Sequence, residues 1–402
     1  MKRTLLALAA ICSLYACKTP QSITETRQPV VTSIDLINVV DDKVKVEVDP
    51  DRFTRDTTRF FIPRTVPGTY SIDNYGKFIE DFKAFDYDGN ELSFEKTDDN
   101  TWLIPKATNL DKVTYWVNDS FDIEGEEGVF SPSGTNIEAG ENFMLNLHSF
   151  VGYFEKQKEE AYALRISRPE NLIPGTALSN TSTALDAGKR DDFMLSRYFE
   201  VIDNPIMYAT PDTSSFMVGN MKVLLNVYSP NKVYTSEDIK PGIEEMISAQ
   251  KRFLGEIDNT GKYAILLYLS DQQKPDARGF GALEHHTSTV VVLPEAMQAE
   301  QLQQTMTDVV SHEFFHILTP LNVRCEESRY FDYNEPKMSR HLWMYEGVTE
   351  YFANLFQVNQ DLISNQDFYD RIADKMATAA NFDDTMSFTL MSQNILKDEI
   401  GR

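Results

Sequence analysis

Cysteine is scarce in this sequence, with three residues among 402, and basic residues are outnumbered by acidic ones, 38 to 62. Three cysteines cannot build a disulfide scaffold. The net charge of −24 and the lack of any Lys/Arg run argue against a nucleic-acid-binding protein, because an acidic surface repels phosphate. The hydrophobic fraction of 42% is that of a globular chain, so the composition also excludes wholesale disorder.

The amino terminus has the pattern of an export signal. A basic start precedes the apolar run Leu5–Leu14, which is too short to span a bilayer because spanning needs about 20 residues. The four residues that end at Cys17 resemble a bacterial lipobox, in which this cysteine becomes the acylated first residue. We therefore predict a lipoprotein signal peptide over residues 1–16 and a lipid-anchored tether over residues 17–34, with simple secretion as the alternative.

This signal predicts an exported protein attached to the bacterial cell envelope, at the outer membrane. The contact with the membrane is then the lipid on Cys17 alone. The sequence predicts neither which face of that membrane, periplasmic or outer, carries the protein nor its oligomeric state.

Two regions differ in the period of their hydrophobic pattern. Up to about residue 170 polar and apolar residues alternate, as in Lys43–Asp49, which is typical of half-buried antiparallel strands. After about residue 210 strand patterns alternate with helical ones. The sequence predicts a multidomain protein with an N-terminal all-β sandwich-like domain over residues 35–205 and an α+β domain over residues 206–402. No residue of the first domain is predicted to take part in catalysis.

The second region contains five predicted helices. They are Ser236–Leu254, Met297–Leu318, His341–Phe356, Gln366–Ala380 and a short segment, Met391–Ile400.

Five of the six histidines lie between residues 285 and 341, and two of them form a metal-binding pattern. His312 and His316 are spaced i, i+4 on a predicted helix, so both imidazoles can reach one Zn²⁺. Glu313 lies beside the pair, where a general base can take a proton from a water activated by the metal. The alternative interpretation is a pair of hydrogen-bonded core histidines.

A third ligand is expected from the next helix. Glu346 lies 30 residues after His316, and it is the best candidate, with His341 as a competing ligand. Glu350 shares the helix face of Glu346. It is either an acceptor for the N–H of a ligand imidazole or a solvated helix carboxylate.

A glycine-containing segment precedes the metal-binding pattern. Gly281 and Ala282 would let a peptide backbone approach and add itself as a strand, and Glu284 can pair with a free ammonium group. An ordinary structural role for this segment is the alternative. The expected partners are peptides or proteins.

Three segments together resemble the glycyl aminopeptidase family of gluzincin zinc metallopeptidases: residues 281–285, residues 312–316 and residues 343–349. Residues 63–92 also resemble the β-domain signature of that family. The resemblance implies a thermolysin-like catalytic domain that releases small N-terminal residues, glycine and alanine especially.

The resemblance also implies roles for individual residues. His312, His316 and Glu346 would bind one Zn²⁺ per chain, Glu313 would be the base, and Glu284 would belong to the segment that recognises the amino terminus of the substrate. A zinc endopeptidase with the same site and a catalytically vestigial peptide-binding lipoprotein are the alternatives.

In related gluzincin aminopeptidases a tyrosine well downstream of the glutamate ligand donates to the oxyanion, whereas the last tyrosine here is Tyr369. Members of the family usually continue through more of the helical domain into a PDZ-like domain. We therefore expect this sequence to be a fragment that leaves apolar helix faces uncovered.

Overall fold

The computed structural model describes residues 28–122, 128–186, 188–257, 260–382 and 385–397. The predicted signal peptide and Cys17 lie outside these residues. The first fifteen strands are β1 (Val30–Val40), β2 (Lys43–Asp49), β3 (Thr57–Phe61), β4 (Ile79–Asp86), β5 (Glu91–Leu92), β6 (Glu95–Asp98), β7 (Thr101–Pro105), β8 (Leu110–Asn118), β9 (Asn136–Glu138), β10 (Asn142–Leu145), β11 (Tyr153–Phe154), β12 (Tyr162–Ser167), β13 (Ile173–Gly175), β14 (Arg190–Leu195) and β15 (Ile206–Ala209). The other strands are β16 (Thr213–Val218), β17 (Met221–Tyr228), β18 (Lys262–Ser270), β19 (Gly281–Glu284) and β20 (Ser288–Pro294).

The α-helices lie mostly in the second half of the chain. They are α1 (Leu147–Phe150), α2 (Tyr198–Ile202), α3 (Ser236–Leu254), α4 (Ala299–Phe315), α5 (Glu326–Arg329), α6 (Leu342–Asn359), α7 (Asn365–Ala379) and α8 (Phe388–Asn394).

Strands β1 to β15 form three sheets, and we call this part of the chain the β-region. The largest sheet has seven strands in the order β14-β12-β1-β2-β8-β4-β5, and the other two have four strands each, β13-β15-β10-β9 and β11-β3-β7-β6. In β2 the valines at positions 44, 46 and 48 are buried and alternate with outward-facing polar residues, as the period-two pattern predicts.

Aromatic side chains fill the space between two of these sheets. Phe82 of β4 stacks on Trp102 of β7 with ring centroids 4.9 Å apart, and Phe60 of β3 contacts Tyr115 of β8 at 5.6 Å. Strands β4 and β8 belong to the seven-stranded sheet, and β3 and β7 belong to the sheet β11-β3-β7-β6. The rings of each pair therefore come from different sheets and join the two layers into one core. This confirms the predicted sandwich-like β-domain.

The second region is built on a five-stranded sheet in the order β16-β17-β18-β20-β19. Its three central strands are parallel and both edge strands are antiparallel to their neighbours. β18 is buried along nearly its whole length, as expected for a parallel strand that is covered on both faces. Helices α3, α4 and α6 pack together beside this sheet, which confirms the predicted α+β class.

The predicted helices agree with the structure in place, with small shifts at their ends. α3 has the predicted bounds because Thr235 and Asp238 form a capping box at its start. α4 ends three residues before the predicted Leu318, since His316 already lies in its C-cap. The prediction for Met391–Ile400 was wrong in its bounds: α8 begins at Phe388, after the capping side chain of Ser387, and ends at Asn394.

Several apolar side chains on α7 and α8 are exposed to solvent; Met376 is 69% and Phe388 63% exposed. Among the described residues, every helix is too short or too polar to cross a membrane.

Candidate active site

The last turn of α4 presents the two predicted ligand histidines. One face of α4 is buried at helical spacing, through Met306, Val310 and Phe314. These side chains pack α4 against the sheet, and the opposite face of its C-terminal end is turned towards α6. The Nε2 atoms of His312 and His316 lie 3.1 Å apart. The i, i+4 spacing therefore brings both imidazoles to one point.

Helix α6 brings Glu346 to the same point. Its Oε2 atom lies 3.4 Å from Nε2 of His312 and 3.6 Å from Nε2 of His316. The two helices are held together by aromatic packing, with the rings of Phe315 and Phe356 5.7 Å apart. His341, the competing candidate, is the N-cap residue of α6 and is not part of this cluster.

The three ligand atoms have the spacing of a metal site. Zinc bonds of about 2.0–2.2 Å in tetrahedral geometry place neighbouring ligand atoms roughly 3.3 Å apart, which matches the distances of 3.1, 3.4 and 3.6 Å between these atoms. Two imidazoles and one carboxylate form a typical ligand set of a hydrolytic zinc site, with the fourth position left for water or substrate. The residues present therefore fit a zinc ion.

Both imidazoles have an acceptor on the nitrogen that points away from the cluster. Nδ1 of His312 lies 2.8 Å from Oε2 of Glu350, and Nδ1 of His316 lies 3.0 Å from the carbonyl oxygen of Thr319. A carboxylate and a carbonyl can only accept, so each Nδ1 carries the proton and each Nε2 keeps a lone pair for a cation. Lys375 and Asn354 in turn hold the other oxygen of Glu350.

The electrostatics of the cluster favour positive charge. Burial lowers the pKa of His312, but its hydrogen bonds with Glu346 and Glu350 outweigh burial and raise that pKa to about 10. Burial also opposes the charge of His316, and Glu346 and Glu284 raise its pKa to about 9. The carboxylates around the two imidazoles therefore suit the cluster to a divalent cation.

Glu313 lies next to the ligands and is 7% exposed. Burial and the nearby carboxylate of Glu284 raise its pKa to about 8. One oxygen of Glu284, one oxygen of Glu313 and one ring nitrogen of His316 lie within 4.8 Å of one another. A cation placed among these groups would favour the ionised form of Glu313, in which it can accept a proton.

Glu284 ends the edge strand β19, whose one strand partner within the described residues is β20. Its side chain is half-buried, and burial raises its pKa. Ala282 lies half-buried on the same strand. Gly281 has a φ of +155°, and a Cβ there would lie 2.7 Å from the ring of Phe130, so the space beside this glycine is occupied by the β-region. The lack of a side chain at Gly281 thus admits an aromatic ring of the protein itself.

Two residues that the sequence did not single out for the site come from the β-region. The hydroxyl of Tyr70 donates to Oε1 of Glu346, and a Cβ on Gly68 would lie 2.5 Å from Oε2 of Glu284. The β-region therefore reaches the surroundings of the ligands, which the hydrophobic pattern did not predict. The signal was present in residues 66–70, but a proline and a glycine indicated only a turn. By contrast, Tyr369 lies 61% exposed on α7.

The space around the ligands is asymmetric. On the side of Glu284 there is a mostly apolar cavity of about 70 Å³, lined among others by Val66, Leu283 and Tyr345. On the other side, Glu313 faces an open and more polar cleft of about 730 Å³. The two spaces near the ligands therefore differ in volume and in polarity.

Solved structures define the class of fold. The chain is similar to an aminopeptidase N family protein from Idiomarina loihiensis, with a TM-score of 0.77, 19% identity and coverage of 92% of this chain and 61% of that one. It is also similar to an M1 zinc metallopeptidase from Deinococcus radiodurans, with a TM-score of 0.50, 10% identity and coverage of 92% of this chain and 78% of that one. The fold is therefore that of aminopeptidase N-like proteins. The comparison with curated proteins found no match.

Family models identify the chain more closely. The model of the peptidase M61 N-terminal domain matches residues 32–210, and the model of M61 glycyl aminopeptidase matches residues 305–394, which include His312, His316 and Glu346. The chain belongs to the M61 glycyl aminopeptidase family, which confirms the predicted resemblance. It spans 61% of the length of the Idiomarina protein.

Proposed function

We propose that this chain is a zinc-dependent aminopeptidase that binds one Zn²⁺ through His312, His316 and Glu346. The observation that carries the proposal is the spacing of 3.1 to 3.6 Å between the three ligand atoms. In addition, each of the two imidazoles has a hydrogen-bond acceptor at its Nδ1 atom. Family membership supports a peptidase. When bound, the ion polarises the scissile carbonyl and lowers the pKa of the attacking water.

The residues around the ligands supply the remaining chemistry. Glu313 takes the proton from the attacking water and returns it to the amine of the leaving peptide. Glu284 binds the free ammonium group of the substrate and so sets which bond is broken. The edge of β19 at Gly281 and Ala282 aligns the substrate backbone by hydrogen bonding as an added strand.

Two observations favour an aminopeptidase over an endopeptidase. Glu284 is a half-buried carboxylate within 4.8 Å of Glu313 and His316, so an ammonium ion bound to it would lie next to the proposed base and the metal ligands. The cavity on the Glu284 side is small, whereas the cleft on the Glu313 side is open. One N-terminal residue fits the confined side, and the rest of a peptide leaves through the open side.

The preference for glycine and alanine rests on the family. Reporter substrates with N-terminal Gly, Ala, Leu and Phe, compared by kcat/KM, test it directly. A higher value for Leu or Phe than for Gly and Ala would contradict the proposed preference.

Loss of a ligand should remove the metal. We expect purified protein to contain close to one Zn²⁺ per chain by elemental analysis, and the His316→Ala variant to lose most of it because two ligands hold zinc far more weakly than three. His341→Ala, which removes the histidine at the start of α6, is the matched control and should keep its zinc. Loss of zinc from the control, or full occupancy in His316→Ala, would contradict this ligand set.

We also propose that the protein is exported and anchored to the cell envelope by a lipid on Cys17. In cells that export it, Cys17→Ser should move the protein from the membrane to the soluble fraction and abolish incorporation of labelled palmitate, because the lipid is the proposed attachment. Cys325→Ser is the matched control and should stay in the membrane fraction. Unchanged fractionation of Cys17→Ser without any lipid label would show that this anchor does not exist.

A further inference from the structure

Tyr70 lies at the metal centre although it belongs to the β-region, 276 residues away from Glu346 in sequence. Its hydroxyl donates to Oε1 of Glu346, whereas Oε2 of the same carboxylate faces the imidazoles of His312 and His316. The two oxygens of the carboxylate therefore have different partners. One is directed at the ligand cluster, and the other is held by the tyrosine.

The loop that carries Tyr70 is closed at its base. The carbonyl oxygen of Arg64 accepts from the backbone N–H groups of Asp73 and Asn74, at 3.0 and 2.9 Å, so the two ends of the loop meet. Inside the loop, the hydroxyl of Thr69 donates to the carbonyl oxygen of Val66 at 3.0 Å. These bonds fix the shape of the loop backbone.

The same loop is attached to the second region. The N–H groups of Arg64 and Thr65 both donate to the carbonyl oxygen of Tyr333, at 2.9 and 3.2 Å. Within the loop, Tyr70 adopts a φ of +51°, a conformation that aromatic residues rarely take. A backbone conformation of this kind persists only where the surroundings impose it, and such positions concentrate at functional sites.

We propose that Tyr70 is a positioning residue of the metal centre that acts through Glu346, so that the β-region completes the zinc site. The inference rests on the proposed function. A carboxylate with one oxygen held by a hydroxyl cannot rotate freely, so its other oxygen stays directed at the position between His312 and His316. Groups that hold ligands in this way typically contribute 10- to 100-fold to metal affinity or activity.

The test is the zinc affinity of Tyr70→Phe, measured by competition with a chromophoric chelator. This change removes one hydroxyl and keeps the ring, and we expect zinc to bind about 10- to 100-fold more weakly. Tyr198→Phe is the matched control, because Tyr198 is a buried tyrosine of the β-region whose hydroxyl donates to the carbonyl oxygen of Val151 at 2.6 Å. The control should bind zinc as tightly as the wild type. Circular dichroism and thermal unfolding of the metal-free proteins report whether each variant is folded.

A second comparison isolates the route through Glu346. In a Glu346→Ala background, which leaves the two histidines, Tyr70→Phe should cause no further loss of zinc affinity. A further loss of similar size would show that the tyrosine acts in another way and would overturn the proposal.

The outcomes separate this proposal from the proposed function. Equal zinc affinity of Tyr70→Phe and wild type overturns the positioning role, whatever happens to turnover, because the hydroxyl would then not act through the ligand. A wild-type protein that binds no zinc would instead contradict the proposed function.

Discussion

Replacing Glu313 with glutamine should lower kcat by about 10²–10⁴-fold while the zinc content stays unchanged, which is the range expected for loss of a general base. The side chain of Glu313 lies beside the proposed ligands His312, His316 and Glu346 but is not one of them. The substitution therefore removes the proton acceptor and leaves the metal site intact. Glutamine keeps the size of the side chain, which is 7% exposed, so we expect no cavity and little loss of stability. Turnover of a reporter peptide and elemental analysis of the same preparation measure both effects.

The same substitution elsewhere on the helix provides the control. Glu300 lies exposed in the first turn of α4, and Glu300→Gln should retain wild-type kcat and zinc content. If Glu313→Gln turned over substrate at the wild-type rate, another group would be the base. If it lost zinc as His316→Ala does, Glu313 would be a ligand and the assignment of Glu346 would need revision.

The metal ligands could be predicted because the information is local. His312 and His316 are one helical turn apart, and a helix places side chains at that spacing on one face whatever the rest of the fold does. Glu346 required one further step, which was that a second helix packs against the first. The structure brings these three residues together, and α6 covers nearly the span predicted for it.

The contribution of the β-region could not be predicted in this way. The contact between Tyr70 and Glu346 depends on how two regions of the chain pack, and neither hydrophobic period nor spacing encodes such a contact. The pattern around Gly68 was sufficient to predict a turn, but not that the turn lies against Glu284. Gly281 shows the same limit, because its neighbour Phe130 is 151 positions earlier in the chain.

Glu284→Gln should lower kcat/KM about 30-fold or more for peptides with a free amino terminus, since loss of one member of a buried charge pair costs about 2 kcal/mol or more. Glutamine has nearly the same shape as glutamate, which matters because Gly68 leaves no room for a displaced side chain next to Oε2. The measurement is kcat/KM for one peptide in two forms, with a free and with an acetylated amino terminus. We expect the wild type to cleave only the free form efficiently.

The pairing of substrates and variants decides between exopeptidase and endopeptidase. Acetylation removes the ammonium and Glu284→Gln removes its partner, so in an aminopeptidase either change alone should cause most of the loss and the two together should add little.

Glu327→Gln is the matched control, because Glu327 lines the same cavity but is exposed, and it should leave kcat/KM for the free peptide unchanged. If Glu284→Gln reduced cleavage of free and acetylated peptides equally, the carboxylate would serve backbone binding rather than ammonium binding, and the endopeptidase alternative would replace the aminopeptidase. If only Glu327→Gln affected the free peptide, Glu327 and not Glu284 would bind the amino terminus of the substrate.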